Sequence, residues 1–498
     1  MLSKSEPDEI RSLLADASNL RGGHAARALF PETTQEVADA LAEAASEGTP
    51  VTVSGAGTGV VGGRVPFGGV VLATDKLNRI QEIVREDAGG WAIVEAGVVL
   101  ADFQRAVEAR GLFYPPDPTE RSCYLGATVA TNSSGARTFK YGPTRNYIRR
   151  LRLVLATGDV LDLRRGEIFA DARRCLRIPM PRGRCIELEL PSYSMPQTRK
   201  HAAGYYVAPG MDLLDLFIGS EGTLGVITEV EVTLLPKPDG VLSGVVFFTD
   251  EEYLLAFVRE ARERSLQNRA ERRAGGIDAR ALEYFDAESL RCLREKYTLV
   301  PQQAMSAIFF EQETTLENED RLFAEWLTLL EQHKALVEDS WFATEEKDRA
   351  EMREFRHRLP VLVNEWLARH NQRKISTDMA VPDQAFAGML RLYKETLEAN
   401  RLQYVIFGHI GDNHVHVNIM PRDDREATTA REIYLRFVRR TVELGGTISA
   451  EHGVGKIKGD YLRELYGEGP LREMAALKRV FDPACILGRG NIFAEEYL

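Results

Sequence analysis

The sequence predicts an α+β protein of two or three domains, and three observations carry that reading. Short β-branched stretches punctuated by glycine turns fill the first part of the chain. Capped amphipathic segments alternating with short apolar ones fill the middle, and glycine-rich loops return in the tail around one long helical segment. With 498 residues and 44% hydrophobic content, there is length and material for a substantial core.

In chain order, TTQEVADALAEAASEG opens with a capping box, Thr33 and Glu36. It carries an apolar stripe at Val37, Ala40, Leu41 and Ala44 and stops at Gly48, which predicts a helix. The helix feeds a strand, PVTVS, and the loop GAGTGVVGG. Here Gly57, Gly59 and Gly62 match the G-x-G-x-x-G spacing of a dinucleotide-binding turn, but Pro66, Gly68 and Gly69 forbid the helix such a turn must open. Two readings remain: a backbone cradle for phosphate or pyrophosphate, or a plain glycine-rich turn. Strands at GVVLA and WAIVEAG follow, then a helix over residues 100–110 closed by Gly111, then the turn-rich PPDPTE. GSEGTLGVITEVEVTLLPKP ends in a β-branched strand stopped by Pro236, and a domain boundary falls near Pro238. Over residues 241–402, TDEEYLLAFVREARERS carries a second capping box, Thr249 with Glu252, and AMSAIFFE is short and apolar enough for a strand. A helix over residues 424–444 separates the glycine-rich loops of the tail.

A net charge of −11 argues against nucleic acid as a partner. The densest basic stretch, residues 164–200, holds nine Lys or Arg and four acids and reads as a solvated excursion. The first residues lack the apolar core of a signal peptide, and no run reaches the ~18 apolar residues needed to cross a bilayer. The expected location is the cytoplasm, with the membrane surface as the alternative. Five scattered cysteines with no C-x-x-C fit a reducing compartment and exclude a clustered iron–sulfur centre in this chain.

The densest chemistry is GHIGDNHVHVN. Strand alternation puts His414, His416 and Asn418 on one face, and the turn at Gly411 and Asp412 can bend His409 back toward His416. Three of the nine histidines in so short a span favour a metal site over unrelated core histidines. His414 by itself reads as a core histidine. In AEHGVG, Glu451 is a candidate third ligand beside His452, with Gly453 and Gly455 letting the backbone bring both into one cavity.

Taken together, SGAGTGVVGG, YPPDPTE, GATVATNSSGARTFKYG, HAAGYYV, GSEGTLGVITEVEVTLLPKP, GHIGDNHVHVN and AEHGVG resemble, in this order, the FAD-linked D-2-hydroxy-acid dehydrogenases. That family includes D-lactate dehydrogenase, the flavin subunit of glycolate oxidase and D-2-hydroxyglutarate dehydrogenase, within the vanillyl-alcohol-oxidase superfamily. The resemblance spans residues 31–493. It implies a vanillyl-alcohol-oxidase-type FAD-binding domain (residues 1–238), a cap or substrate domain with an antiparallel sheet flanked by helices (239–440), and a C-terminal segment returning to the flavin (441–498). The cofactor implied is FAD, not nicotinamide. Ser54, Gly55, Gly57, Thr58 and Gly59 would hold its pyrophosphate. Pro116, Asp117, Thr119, Gly126, Thr131, Asn132, Gly135, Tyr141 and Gly142 would line the flavin, and Glu221, Gly222, Gly225 and Ile227 its adenine half. The first loop has no histidine for covalent attachment, so noncovalent FAD is expected.

The resemblance further implies a divalent metal, zinc with manganese or iron as alternatives, on His409, His416 and Glu451. His452 would be the base, Arg356 would grip the substrate carboxylate, and Lys374 and Asn418 would assist in substrate binding. Asn413 and His414 stand where the family has Gly-Asn, Arg353 where a tryptophan is common, and LGRGN departs from the usual ending. The implied reaction is oxidation of a D-2-hydroxy acid to a 2-oxo acid with hydride to flavin N5. Electrons would pass on to a quinone, an electron-transfer flavoprotein or an iron–sulfur partner subunit, and homo-oligomers are compatible. Two other classes stay open: a non-redox flavin transferase resembling alkylglycerone-phosphate synthase, and a noncatalytic flavin subunit of a larger assembly.

Overall fold

A computed structural model of the chain describes residues 1–180, 183–273 and 275–498. The first helix is Thr34–Glu47, where Thr33 accepts from the Glu36 N–H at 3.2 Å and Gly48 ends the helix in the left-handed region, φ +66°. The reciprocal half of the capping box is displaced by one residue, since the Glu36 carboxylate accepts from the Glu32 N–H. The buried stripe, Val37 and Leu41 among it, packs on a four-stranded sheet ordered Leu2–Lys4, Arg27–Phe30, Val70–Ala73, Val51–Ser54. The last three strands are parallel. The strand that leads into the glycine loop is therefore anchored on a core of Val51, Val70 and Leu72.

A second sheet runs Ile80–Glu86, Gly89–Glu95, Val226–Pro236, Ile148–Val154, Val160–Arg164, antiparallel throughout. Its middle strand leaves directly from the turn at Glu221 and Gly222. The basic excursion forms an antiparallel hairpin, Cys175–Pro179 with Cys185–Glu189. Residues 181 and 182 of that stretch lie outside the described residues.

Beyond Pro236 the chain enters a third sheet. Its order is Trp341–Ala343, Gly240–Phe248, Ser306–Thr314, Ala279–Phe285, Tyr404–Gly408, His416–Ile419, Ile375–Ser376, all antiparallel. Period-two alternation along Gly240–Phe248 sends Val246 and Phe248 to one core and Val245 and Phe247 to another, so helices must cover both faces. Helices Glu251–Ala270 and Glu319–Gln332 cover the first, where Trp326 stacks on Phe310 at 4.3 Å. Ala287–Leu293 and Glu346–Arg369 cover the second through Leu290, Phe355 and Leu359. One expectation is corrected: helix Glu251–Ala270 is capped by Asp250, not Thr249. The Asp250 carboxylate sits directly before the helix on extended backbone and accepts from the Glu252 N–H at 2.9 Å. Among the described residues no helix is long and apolar enough to cross a membrane.

Candidate active site

Strands Tyr404–Gly408 and His416–Ile419 are paired, with Phe407 opposite His416, and one short turn, Ile410–Asp412, reverses the chain between them. The reversal ends at Asn413 in the left-handed region, φ +53°, which asparagine tolerates better than most residues. Its side-chain amide is held by Asp383. The His409 and His416 rings thereby come to 5.6 Å between centroids, and His414 stands 5.4 and 4.6 Å from them.

Glu451 arrives from the other end of the chain. Its Oε1 lies 3.2 Å from His409 Nε2 and 3.9 Å from His414 Nδ1, and its Oε2 3.7 Å from His416 Nε2. One donor atom from each of the four residues falls within 4.8 Å of the others. Behind the carboxylate, Ser134 donates at 3.1 Å and the fully buried Lys200 at 2.5 Å. The outer nitrogens of the imidazoles face acceptors: His409 Nδ1 the Glu283 carboxylate (2.6 Å), His416 Nδ1 the Thr377 carbonyl (3.1 Å), and His414 Nε2 the Asp378 carboxylate (3.2 Å). Burial alone would strip the proton from His409, but Glu283 and Glu451 carry its pKa up to about 9. Two buried carboxylates thus flank the His409 ring, one on each nitrogen. The donor set, imidazole and carboxylate with carboxylate-backed rings, suits a divalent metal.

Beside this cluster His452 stacks on His416 at 5.4 Å, partly open to solvent. Its Nδ1 is 3.2 Å from Asp378, which also accepts from the His452 backbone N–H and from Lys458. Among the described residues Nε2 of His452 has no partner. Arg356, on helix Glu346–Arg369, spends its Nε on Glu283 at 2.9 Å, so Glu283 joins the arginine to His409. Asn418 is buried and donates to the His416 carbonyl, while Lys374 is exposed just before strand Ile375–Ser376. Glu283, Asp378 and Lys200 escaped the sequence reading. Glu283 is hidden in an apolar strand, Lys200 stands one residue before the quoted HAAGYYV, and Asp378 carries no motif.

The glycine loop is built differently. Among the described residues, no backbone N–H from Gly55 through Gly63 donates to any protein acceptor, although Val61 and Gly62 are buried. Unsatisfied half-buried amides are costly unless an anion takes them. At Gly57, φ is +83° and an added Cβ would lie 2.4 Å from the Arg64 guanidinium. That guanidinium donates to the Gly55 and Ala15 carbonyls and to the Ser54 hydroxyl. Among the described residues no hydrogen bond engages the Thr58 side chain, and Gly59 is open.

Of the other expected flavin residues, Gly126 and Gly222 lie on elements packed against the loop and the strand that leads into it. Gly55 faces Ala127 of helix Leu125–Ala130, where Gly126 leaves no room for a Cβ against Ala96. Gly135 abuts the Asp117 carbonyl, Pro116 accepts from Gln104, and Thr131 binds the Ala127 carbonyl; Thr119 is exposed. Asn132, Tyr141 and Gly142, with Arg145, Arg199 and His201, line a cavity of about 590 Å³. Glu221, φ +53°, accepts from the Val454 and Gly455 N–H groups at 2.7 Å each, and burial pushes its carboxyl up to about 7 against those donors. Gly222 packs on Val53, Gly225 on Leu153, and Ile227 lies in the second sheet. The free amides of the glycine loop fit the pyrophosphate of a bound dinucleotide such as FAD.

Comparison with known proteins agrees. Residues 25–164 match the family model described as an FAD binding domain, and residues 245–492 that of the C-terminal domain of FAD linked oxidases. The glycolate oxidase subunit GlcD of Bacillus subtilis is 31% identical over 94% of this chain and 89% of its own length. A D-lactate dehydrogenase of Anaerostipes hadrus is 30% identical over 92% and 88%. The mitochondrial D-2-hydroxyglutarate dehydrogenase of Rattus norvegicus is 29% identical over 97% and 81%. A solved structure of alkyldihydroxyacetonephosphate synthase superposes with a TM-score of 0.67 at 15% identity over 98% of this chain and 81% of that one, a likeness of fold. The fold is thus a vanillyl-alcohol-oxidase-type FAD-binding domain with a cap, and the chain, a flavoprotein oxidoreductase, belongs to the family of FAD-linked D-2-hydroxy-acid dehydrogenases.

Proposed function

We propose that this protein oxidises a D-2-hydroxy acid of the lactate, glycolate or 2-hydroxyglutarate class to its 2-oxo acid. It would use noncovalent FAD and a divalent ion on His409, His416 and Glu451. The observation that carries this reading is the convergence of those side chains, with His452 and Arg356 tied into the same carboxylate framework. The printed names of the relatives support it. When bound, FAD supplies a hydride acceptor and the ion lowers the pKa of the substrate hydroxyl.

The remaining work falls to the chain. Arg356 holds the substrate carboxylate with its terminal nitrogens, because Glu283 already occupies Nε and fixes the guanidinium plane. Lys374 and Asn418 complete substrate binding. His452 takes the hydroxyl proton at Nε2, while Asp378 on Nδ1 sets the tautomer. Ser54 through Gly59, the loops at Pro116 and Asn132, and the turn at Glu221 would hold the flavin. Electrons leave to a quinone, an electron-transfer flavoprotein or an iron–sulfur partner, in the cytoplasm or at the membrane surface.

The test is an anaerobic panel of D- and L-2-hydroxy acids read by flavin bleaching. A D-acid should bleach the flavin much faster than its enantiomer, and equal rates would refute the proposed geometry. Denaturation should release the flavin from the polypeptide.

A further inference from the structure

We propose that His414 is a fourth protein ligand, making the centre a three-histidine, one-carboxylate site suited to a six-coordinate ion such as manganese(II), iron(II) or cobalt(II) rather than to zinc. This rests on the metal-assisted reading above and changes its ligand set.

Three observations carry the assignment. First, the His414 side chain is fully buried, and among the described residues neither ring nitrogen makes a hydrogen bond. Both nitrogens look onto carboxylates without meeting hydrogen-bond geometry, Nε2 onto Asp378 at 3.2 Å and Nδ1 onto Glu451 at 3.9 Å, and buried polar atoms left so are uncommon. Second, its donor atom lies with those of His409, His416 and Glu451, all four within 4.8 Å of one another. Third, the three rings share one arrangement. In each, one nitrogen faces Glu451, at 3.2, 3.9 and 3.7 Å for His409, His414 and His416, and the other faces an outer acceptor, Glu283, Asp378 and the Thr377 carbonyl. Ligand histidines are oriented by such outer acceptors. His414 turns Nδ1 inward where the other two turn Nε2, yet all three set one nitrogen toward Glu451 and the other toward an outer acceptor.

The fourth donor changes which ion is useful. Tetrahedral zinc with four protein ligands is a closed, structural centre. An ion with six positions keeps two open, enough for a substrate that offers two oxygens.

The test uses FAD-loaded protein stripped of metal and titrated with cobalt(II), manganese(II) and zinc, for the wild type, His414→Asn and His409→Ala. Pulsed EPR of the manganese-loaded protein counts coordinated imidazoles, and chelator competition gives Kd. We expect three imidazole nitrogens in the wild type and two in His414→Asn, manganese and cobalt affinity lower by roughly 10–100-fold in that variant, and unchanged FAD content. A weak cobalt(II) absorption of the six-coordinate kind is expected in the wild type, and an intense four-coordinate spectrum would overturn the coordination claim. Two imidazoles in the wild type would overturn the ligand claim, even if the variant does not fold. If the wild type binds metal, His409→Ala loses it and His414→Asn keeps full affinity, this inference alone falls. If the wild type binds none, the metal-assisted reading falls with it.

Discussion

The glycine loop and the histidine cluster, the proposed cofactor and metal sites, are built by opposite means. From Gly55 through Gly63 what is offered is main chain: among the described residues this row of N–H groups has no protein acceptor, and the Thr58 side chain makes no hydrogen bond. At the cluster every contact comes from a side chain, and each side chain is held from behind: His409 by Glu283, His416 by the Thr377 carbonyl, Glu451 by Ser134 and Lys200. The loop should therefore tolerate changes of side chain and reject an added Cβ at its glycines. The cluster should reject loss of any functional group. A site made of backbone is read in sequence by what is missing, and a site made of side chains by what is present.

Substitutions can break that contrast. The largest effect is expected for Glu451→Ala, which removes the carboxylate that three imidazoles and Lys200 share. Bound metal and turnover should both be lost while FAD stays, as read by metal analysis and flavin absorbance. His452→Gln should keep metal, FAD and substrate affinity, yet lose roughly 10²–10⁴ in kcat, the usual contribution of a positioned base. A variant that turns over normally, or fails because its metal is gone, is not missing a base. In the loop, Gly57→Ala forces a Cβ into the left-handed region and toward Arg64, at about 1–2 kcal/mol, so FAD affinity should fall about tenfold. Thr58→Ala should leave it nearly unchanged. Equal losses in the two would show that side chains, not amides, make the cradle.

The smallest effect belongs to His201, on the seam between the regions. Burial and Arg145 hold its imidazolium down to about 3 from the usual 6.5, and its Nδ1 meets Thr447 at 2.8 Å. The unfolded chain takes this proton below pH 6.5 and the folded chain does not, so stability drains as pH falls from 6.5 toward 3. In His201→Gln the urea midpoint should fall less between pH 6.5 and 4.5, and an unchanged slope would assign that loss to other groups.

The contrast also explains what could be read in advance. The helix Thr34–Glu47 and the strands around the loop follow from local pattern, and so does the reversal that joins His409 to His416. The family of the chain was legible because its motifs are dense in glycine and histidine. Glu283 was not, since a carboxylate in the strand ARALEYF looks like any polar position until the fold puts His409 and Arg356 against it. Asp378 and Lys200 failed for the same reason: their partners lie 74 and 251 positions away. His414 read as core because burial is what a single histidine in an apolar strand predicts; its meaning depends on two other rings. The cap at Asp250 was missed by one position because threonine and aspartate both suit that role.

The bonds from Val454 and Gly455 to Glu221 span 233 and 234 positions, and Asn491 reaches back 428 positions to the Gly63 carbonyl. A ribosome delivers the chain from the other end, so the flavin cradle emerges long before the loop that bears Glu451 and His452. Until then Glu221 waits without its two amides, and the cradle stands open on the side that the final segment will occupy. A polypeptide arrested before residue 451 would carry Glu221 without its clasp, and His409 and His416 without the carboxylate they share.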